Sequence, residues 1–123
     1  MKRAERLTLW VEQMQAAAGD ACGYVDGLDF AAFERDKRTQ QAVVLNLLLI
    51  GEVASRIAEG APGFIAAHPE IPWAAMRGMR NRIAHGYFEL DIEVVWDTVR
   101  DAVPELAVKL PGLLQAAGEF DAE

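Results

Sequence analysis

Residues 42–50 read AVVLNLLLI, nine positions of which only Asn46 is polar. No other stretch limits the possible folds as tightly. The run lies inside a longer segment, from about Asp36 to Glu59, with a helical composition. Asp36 suits its N-terminal cap, and Gly60 followed by Pro62 suits its stop. A helix that is apolar nearly all round must be covered on more than one side. The run falls well short of the ~20 residues that span a bilayer, so we read it as buried in protein. The chain has 123 residues, enough for one domain with a single core. In so small a domain, one side of this helix is expected to meet a second copy of the chain. The alternative is the central helix of a monomeric bundle.

The rest also reads as helix. Leu7, Trp10, Val11, Met14, Ala18 and Ala21 recur at spacings of three and four, one apolar stripe from about Lys2 to the low twenties. Gly23 and Gly27 predict a turn, and LDFAAFE (28–34) a short helical turn after it. Pro72 suits the first position of a helix over about 72–85, with Gly86 in the left-handed position beyond its end. A last helix starts at Asp91 and carries Val95, Val99, Val103, Leu106 and Leu110; Pro104 should kink or split it, and Pro111-Gly112 marks another bend. The expected fold is all-α, an antiparallel bundle of four to five helices over residues 1–118, with a loose tail at 119–123.

Composition narrows the function classes. The formal net charge is −7, the wrong sign for non-specific binding of nucleic acid, so any such role needs a local basic site. Arg77, Arg80 and Arg82 supply one, with no acidic residue between 71 and 88. The lone Cys22 excludes an intrachain disulfide and a multi-cysteine metal site, and is expected to be buried. His68, before Pro69, has no ligand at helical spacing, so no metal site is evident and no cofactor is expected. Acidic residues interrupt any signal-like start, and the expected location is the cytoplasm.

The chemistry concentrates in MRNRIAHGY (79–87). Asn81 and His85, four apart, are neighbours on a helix, which lets Asn81 orient the imidazole or contact a phosphate. Arg80 and His85 are five apart, roughly 140° around the axis. They converge only if the helix ends near His85 or a second copy of the segment faces the first. The residue types suit phosphodiester cleavage in RNA. A histidine titrates near neutrality and can take the ribose 2′-OH proton or return one to the leaving oxygen. An arginine holds phosphate with its fork and stabilises charge in the transition state. Each residue also has a plain structural account: His85 is favourable at a helix C-terminus, and Tyr87 can simply pack.

The stretch HPEIPWAAMRGMRNRIAHGYFELDIEVVWDTV (68–99) resembles the HEPN-domain proteins of the HepT type. The family signature Arg-x4-His-x-Tyr is matched by Arg80, His85 and Tyr87, and the polar residue after the arginine by Asn81. Upstream, LIGEVASRIAE (49–59) is similar to the family's second-helix segment. The resemblance implies a homodimeric all-α bundle, with both motif copies in one composite cleft. It implies a metal-independent endoribonuclease toxin of the HepT/MntA type, with catalytic Arg80, His85 and Asn81 and substrate contacts from Arg77 and Arg82. Cellular RNA, with tRNA as one target class, would be the substrate. The implied partner is a nucleotidyltransferase antitoxin that transfers AMP to Tyr87, adding charge and bulk where RNA phosphate would sit. The alternative is a non-catalytic helical module that binds a nucleotidyltransferase or a nucleotide.

Overall fold

The computed structural model describes residues 2–120. Its α-helices are α1 (Arg3–Tyr24), α2 (Phe30–Glu34), α3 (Lys37–Gly60), α4 (Pro62–Ala67), α5 (Trp73–Gly86), α6 (Ile92–Asp97) and α7 (Val103–Glu119). No strand occurs among the described residues, and the all-α bundle stands.

Helix α3 takes the central place its composition demands. It packs against α1 on one side and α5 on another, while α1 also packs on α7. Leu7, Val11 and Met14 of α1, Val43, Leu47 and Ile57 of α3, and Leu106 and Leu110 of α7 are buried together. By length and composition α3 could cross a membrane, but half of that window is buried inside the bundle. Buried Asn46 donates its amide to the carbonyl of Ala42 at 2.9 Å, a bond within its own helix. One stripe of α3 stays uncovered: Leu45 is 53% exposed and Leu49, four residues on, 43%.

The helix starts follow from short acidic side chains. Asp29, Asp36 and Asp91 each accept a backbone N–H in the first turn of α2, α3 and α6. Asp36 also accepts the Thr39 hydroxyl at 2.6 Å, and the hydroxyl and amide together hold its carboxyl below its ordinary range. A carboxylate with a lowered folded pKa stabilises above its unfolded pKa, and this contribution is lost as pH falls through the folded value.

The glycines and prolines depart from expectation in instructive ways. Pro72 is the cap of α5 rather than its first residue. Gly86 is the last residue of α5 with φ −155°, not left-handed, because the chain runs directly into a 3₁₀ turn at Tyr87–Glu89. The positive φ among the described glycines is at Gly27, 78°, in the turn after α1. Pro104 splits its helix by a π-helical turn, Thr98–Ala102, and then occupies the first turn of α7, where its missing N–H is least costly. Pro111 does not end α7. The C-terminal stretch is ordered further than its composition suggests: α7 runs to Glu119, and Phe120 packs edge-on against Phe64 at 5.4 Å. The rest of the expected tail, 121–123, lies outside the described residues. Cys22 is only half-buried, enough to push its thiol pKa up.

Candidate active site

Helix α5 carries MRNRIAHG, with Tyr87 opening the 3₁₀ turn that follows, and the position of α5 is fixed through the preceding loop. Trp73, buried at the start of α5, donates its indole N–H to the carbonyl of His68 at 2.9 Å. Lys109 of α7 donates to the carbonyl of Glu70 at 2.9 Å. Buried Met76 and Ile83 then seat α5 on the bundle.

Gly51 sets how closely α5 approaches α3. A Cβ built at Gly51 would lie 2.3 Å from the Arg80 Cβ and 2.6 Å from the Met76 carbonyl oxygen. The absence of a side chain at Gly51 therefore brings Arg80 within reach of the next residue on α3. Glu52 accepts a hydrogen bond from Arg80 Nε, and Asn81 Oδ1 accepts one from Arg80 Nη1 at 3.1 Å. Both partners of the Glu52–Arg80 pair are about one-third exposed. Such a pair adds little stability, but two anchored edges set the plane of the guanidinium and leave its other N–H groups without a partner among the described residues. Sequence reasoning missed both α3 residues. The available signal was a glycine inside a strong helix, which costs about 1 kcal/mol against alanine and so asks for a close approach.

His85 lies elsewhere. It is exposed on the last turn of α5 and lines a cleft of about 400 Å³ with Arg82, Glu89, Leu90 and Val94. Arg80 does not line that cleft. Because α5 stays helical through Gly86, the five-residue offset keeps Arg80 and His85 on different sides of one helix. Among the described residues no hydrogen bond joins Asn81 to His85; the Asn81 oxygen serves Arg80. Arg77 and Arg82 are exposed. Tyr87 is 40% exposed in the 3₁₀ turn and Phe88 95%, their rings edge to face at 5.5 Å.

A second, apolar groove of about 390 Å³ adjoins the first. Leu47 and Ile50 of α3, Met76 and Met79 of α5, and Val103 and Leu106 of α7 line it. The two share Met79, Arg82 and Val94.

The family model for ribonuclease HepT-like proteins matches residues 14–111. The chain belongs to this ribonuclease HepT-like family. A probable ribonuclease HepT of Thermococcus cleftensis is 42% identical over 84 residues, covering 68% of this chain and 74% of that protein. A candidate RNase of Methanocaldococcus jannaschii is 35% identical over 85 residues, 69% of this chain and 68% of its own length. A candidate RNase of Caldanaerobacter subterraneus subsp. tengcongensis is 31% identical over 91 residues, 74% of this chain and 79% of its own. No solved structure matches the chain significantly. Membership supports an RNase function, and the matched span of the HepT-like model includes Gly51, Glu52, Arg80 and His85.

Proposed function

We propose that the chain is a metal-independent endoribonuclease whose working unit is a homodimer. The observation that carries this reading is the disposition of Arg80 and His85 on α5: the guanidinium is held by Glu52 and Asn81, and the imidazole stands open at the helix end. Two copies related by a twofold axis can set Arg80 of one against His85 of the other. The uncovered Leu45–Leu49 stripe and the apolar groove beside α5 provide the surface for that contact.

The chemistry is a transesterification. His85 takes the 2′-OH proton, O2′ forms a bond to phosphorus, and the bond from phosphorus to O5′ breaks. A proton returns to O5′, leaving a 2′,3′-cyclic phosphate and a 5′-hydroxyl. Arg80 stabilises the charge that builds on the phosphoryl oxygens. Arg77 and Arg82 draw the backbone in, and exposed Phe88 offers a ring on which an unstacked base can lie. None of these steps requires a metal ion. Purified protein incubated with total RNA or tRNA in EDTA is expected to produce fragments with cyclic phosphate ends. RNA that stays intact would sink the reading and favour the non-catalytic module, which the apolar groove would equally serve.

In the cell we read the chain as the toxin of a toxin–antitoxin pair. The partner nucleotidyltransferase joins the Tyr87 oxygen to the α-phosphate of ATP and releases pyrophosphate. The exposure of Tyr87, two residues from His85, supports this. Co-expression with such an enzyme should add AMP to the Tyr87 peptide by mass spectrometry, and Tyr87→Phe should stay active beside it. A Tyr87 peptide that remains unmodified beside an active transferase removes this part of the proposal.

A further inference from the structure

We infer that the cleft beside His85 is the binding site for the base of the reacting nucleotide, and that Glu89 makes it prefer guanine. The inference rests on the ribonuclease reading above. If His85 takes the proton from a 2′-OH, the base on the same ribose is attached one carbon away, at C1′. That base must lie next to the imidazole, and the cleft of about 400 Å³ that His85 lines is the concavity there. Its size falls among those of small-ligand sites, roughly 300–1,000 Å³.

The lining suits a base better than a phosphate. Met79, Leu90 and Val94 present apolar surface to a flat ring. Arg82 is the cation of the cleft, and Glu89 and Asp91 are carboxylates that repel the backbone. Asp91 has one oxygen taken, because its Oδ1 accepts the backbone N–H of Glu93 at 2.9 Å as the cap of α6, so it does not offer both oxygens as a pair. The Glu89 carboxylate makes no hydrogen bond or ion pair among the described residues. One of its oxygens lies over Gly86, 3.3 Å from where a Cβ would stand, which places it one residue from His85. An ionised carboxylate only accepts hydrogen bonds, with two oxygens side by side. The Watson–Crick edge of guanine offers two adjacent donors, N1–H and the N2 amine. Adenine and cytosine offer one amine beside an acceptor, and uracil one N–H between two acceptors. Glu89 therefore selects guanine, and uracil fits worst.

The test uses four oligodeoxynucleotides that each hold one ribonucleotide, A, C, G or U, so that cleavage is confined to that position. The guanosine substrate is expected to be cleaved about tenfold faster than the uridine one, the discrimination a bidentate base contact gives. Glu89→Gln, with one donor and one acceptor in place of two acceptors, complements the amine-beside-acceptor edges of adenine and cytosine and should move the preference from guanosine to those bases. Equal rates with the native protein, or a guanosine preference that survives Glu89→Gln, overturn the assignment. Binding of the all-deoxy oligonucleotides, followed by fluorescence anisotropy, separates the two readings. Guanine-selective binding without cleavage of any substrate overturns the ribonuclease reading and supports the cleft assignment. Cleavage without base preference does the reverse.

Discussion

His85→Ala should lower the rate of RNA cleavage by roughly 10²–10⁴-fold, the contribution of a positioned general acid–base. Stability should barely change, because His85 is exposed and lies in the last turn of α5. Arg80→Ala should be similarly inactive for a different reason, the loss of the group that stabilises phosphoryl charge. The informative experiment is to mix the two. If each site takes Arg80 from one chain and His85 from the other, a mixed dimer contains one complete site and one doubly defective site. Equal mixing after dissociation should then restore about a quarter of native activity, since half of the dimers are mixed and each has half its sites. If both groups acted within one chain, every site in the mixture would lack one of them, and no activity would return. That result would overturn the composite site and leave the ribonuclease assignment intact.

The gain from mixing is expected because the helix does not do what one route to convergence required. A helix that ended at His85 would have let the imidazole swing toward Arg80. Instead α5 continues through Gly86 into the 3₁₀ turn. The second route, a facing copy, therefore carries the proposal.

What could be read in advance followed local rules. Apolar spacing located α1, the unbroken apolar run located α3, and the aspartates before α3 and α6 located their starts, because these signals act within one or two turns. The motif was legible as chemistry because its residue types are few and their spacing is short. Glu52 was not, since its partner is 28 residues away and only the packing of α3 on α5 brings the two together. Asn81 was misdirected for a related reason. The i, i+4 rule points it at His85, whereas the tether from Glu52 brings the Arg80 guanidinium to its oxygen. Pro111 inside α7 and the packed Phe120 at its end have a common cause. Pro111 and Phe120 are decided by what α7 packs against, and a local breaker signal yields to that packing.

Gly51→Ala gives the second large effect, opposite in sign to the usual helix rule. At an exposed helical site the exchange stabilises by up to about 1 kcal/mol, and Gly19, with nothing near its virtual Cβ, should follow that rule. At Gly51 the new methyl collides with the Arg80 Cβ and with the Met76 carbonyl, which is backbone and cannot turn aside. Helix α5 must shift away from α3. Forced overpacking of this kind costs about 1–3 kcal/mol, several degrees in Tm for a domain of this size. The same shift carries Arg80 away from Glu52, so activity should fall further than stability alone explains. Glu52→Ala separates the two consequences, because it frees the guanidinium without moving the helix. Its activity should drop while its Tm stays close to native, as expected for an ion pair about one-third exposed. A Gly51→Ala protein as stable as the native one would show that α3 and α5 are not held at this distance. The account of how Arg80 is positioned would then fail, whatever the enzyme does to RNA.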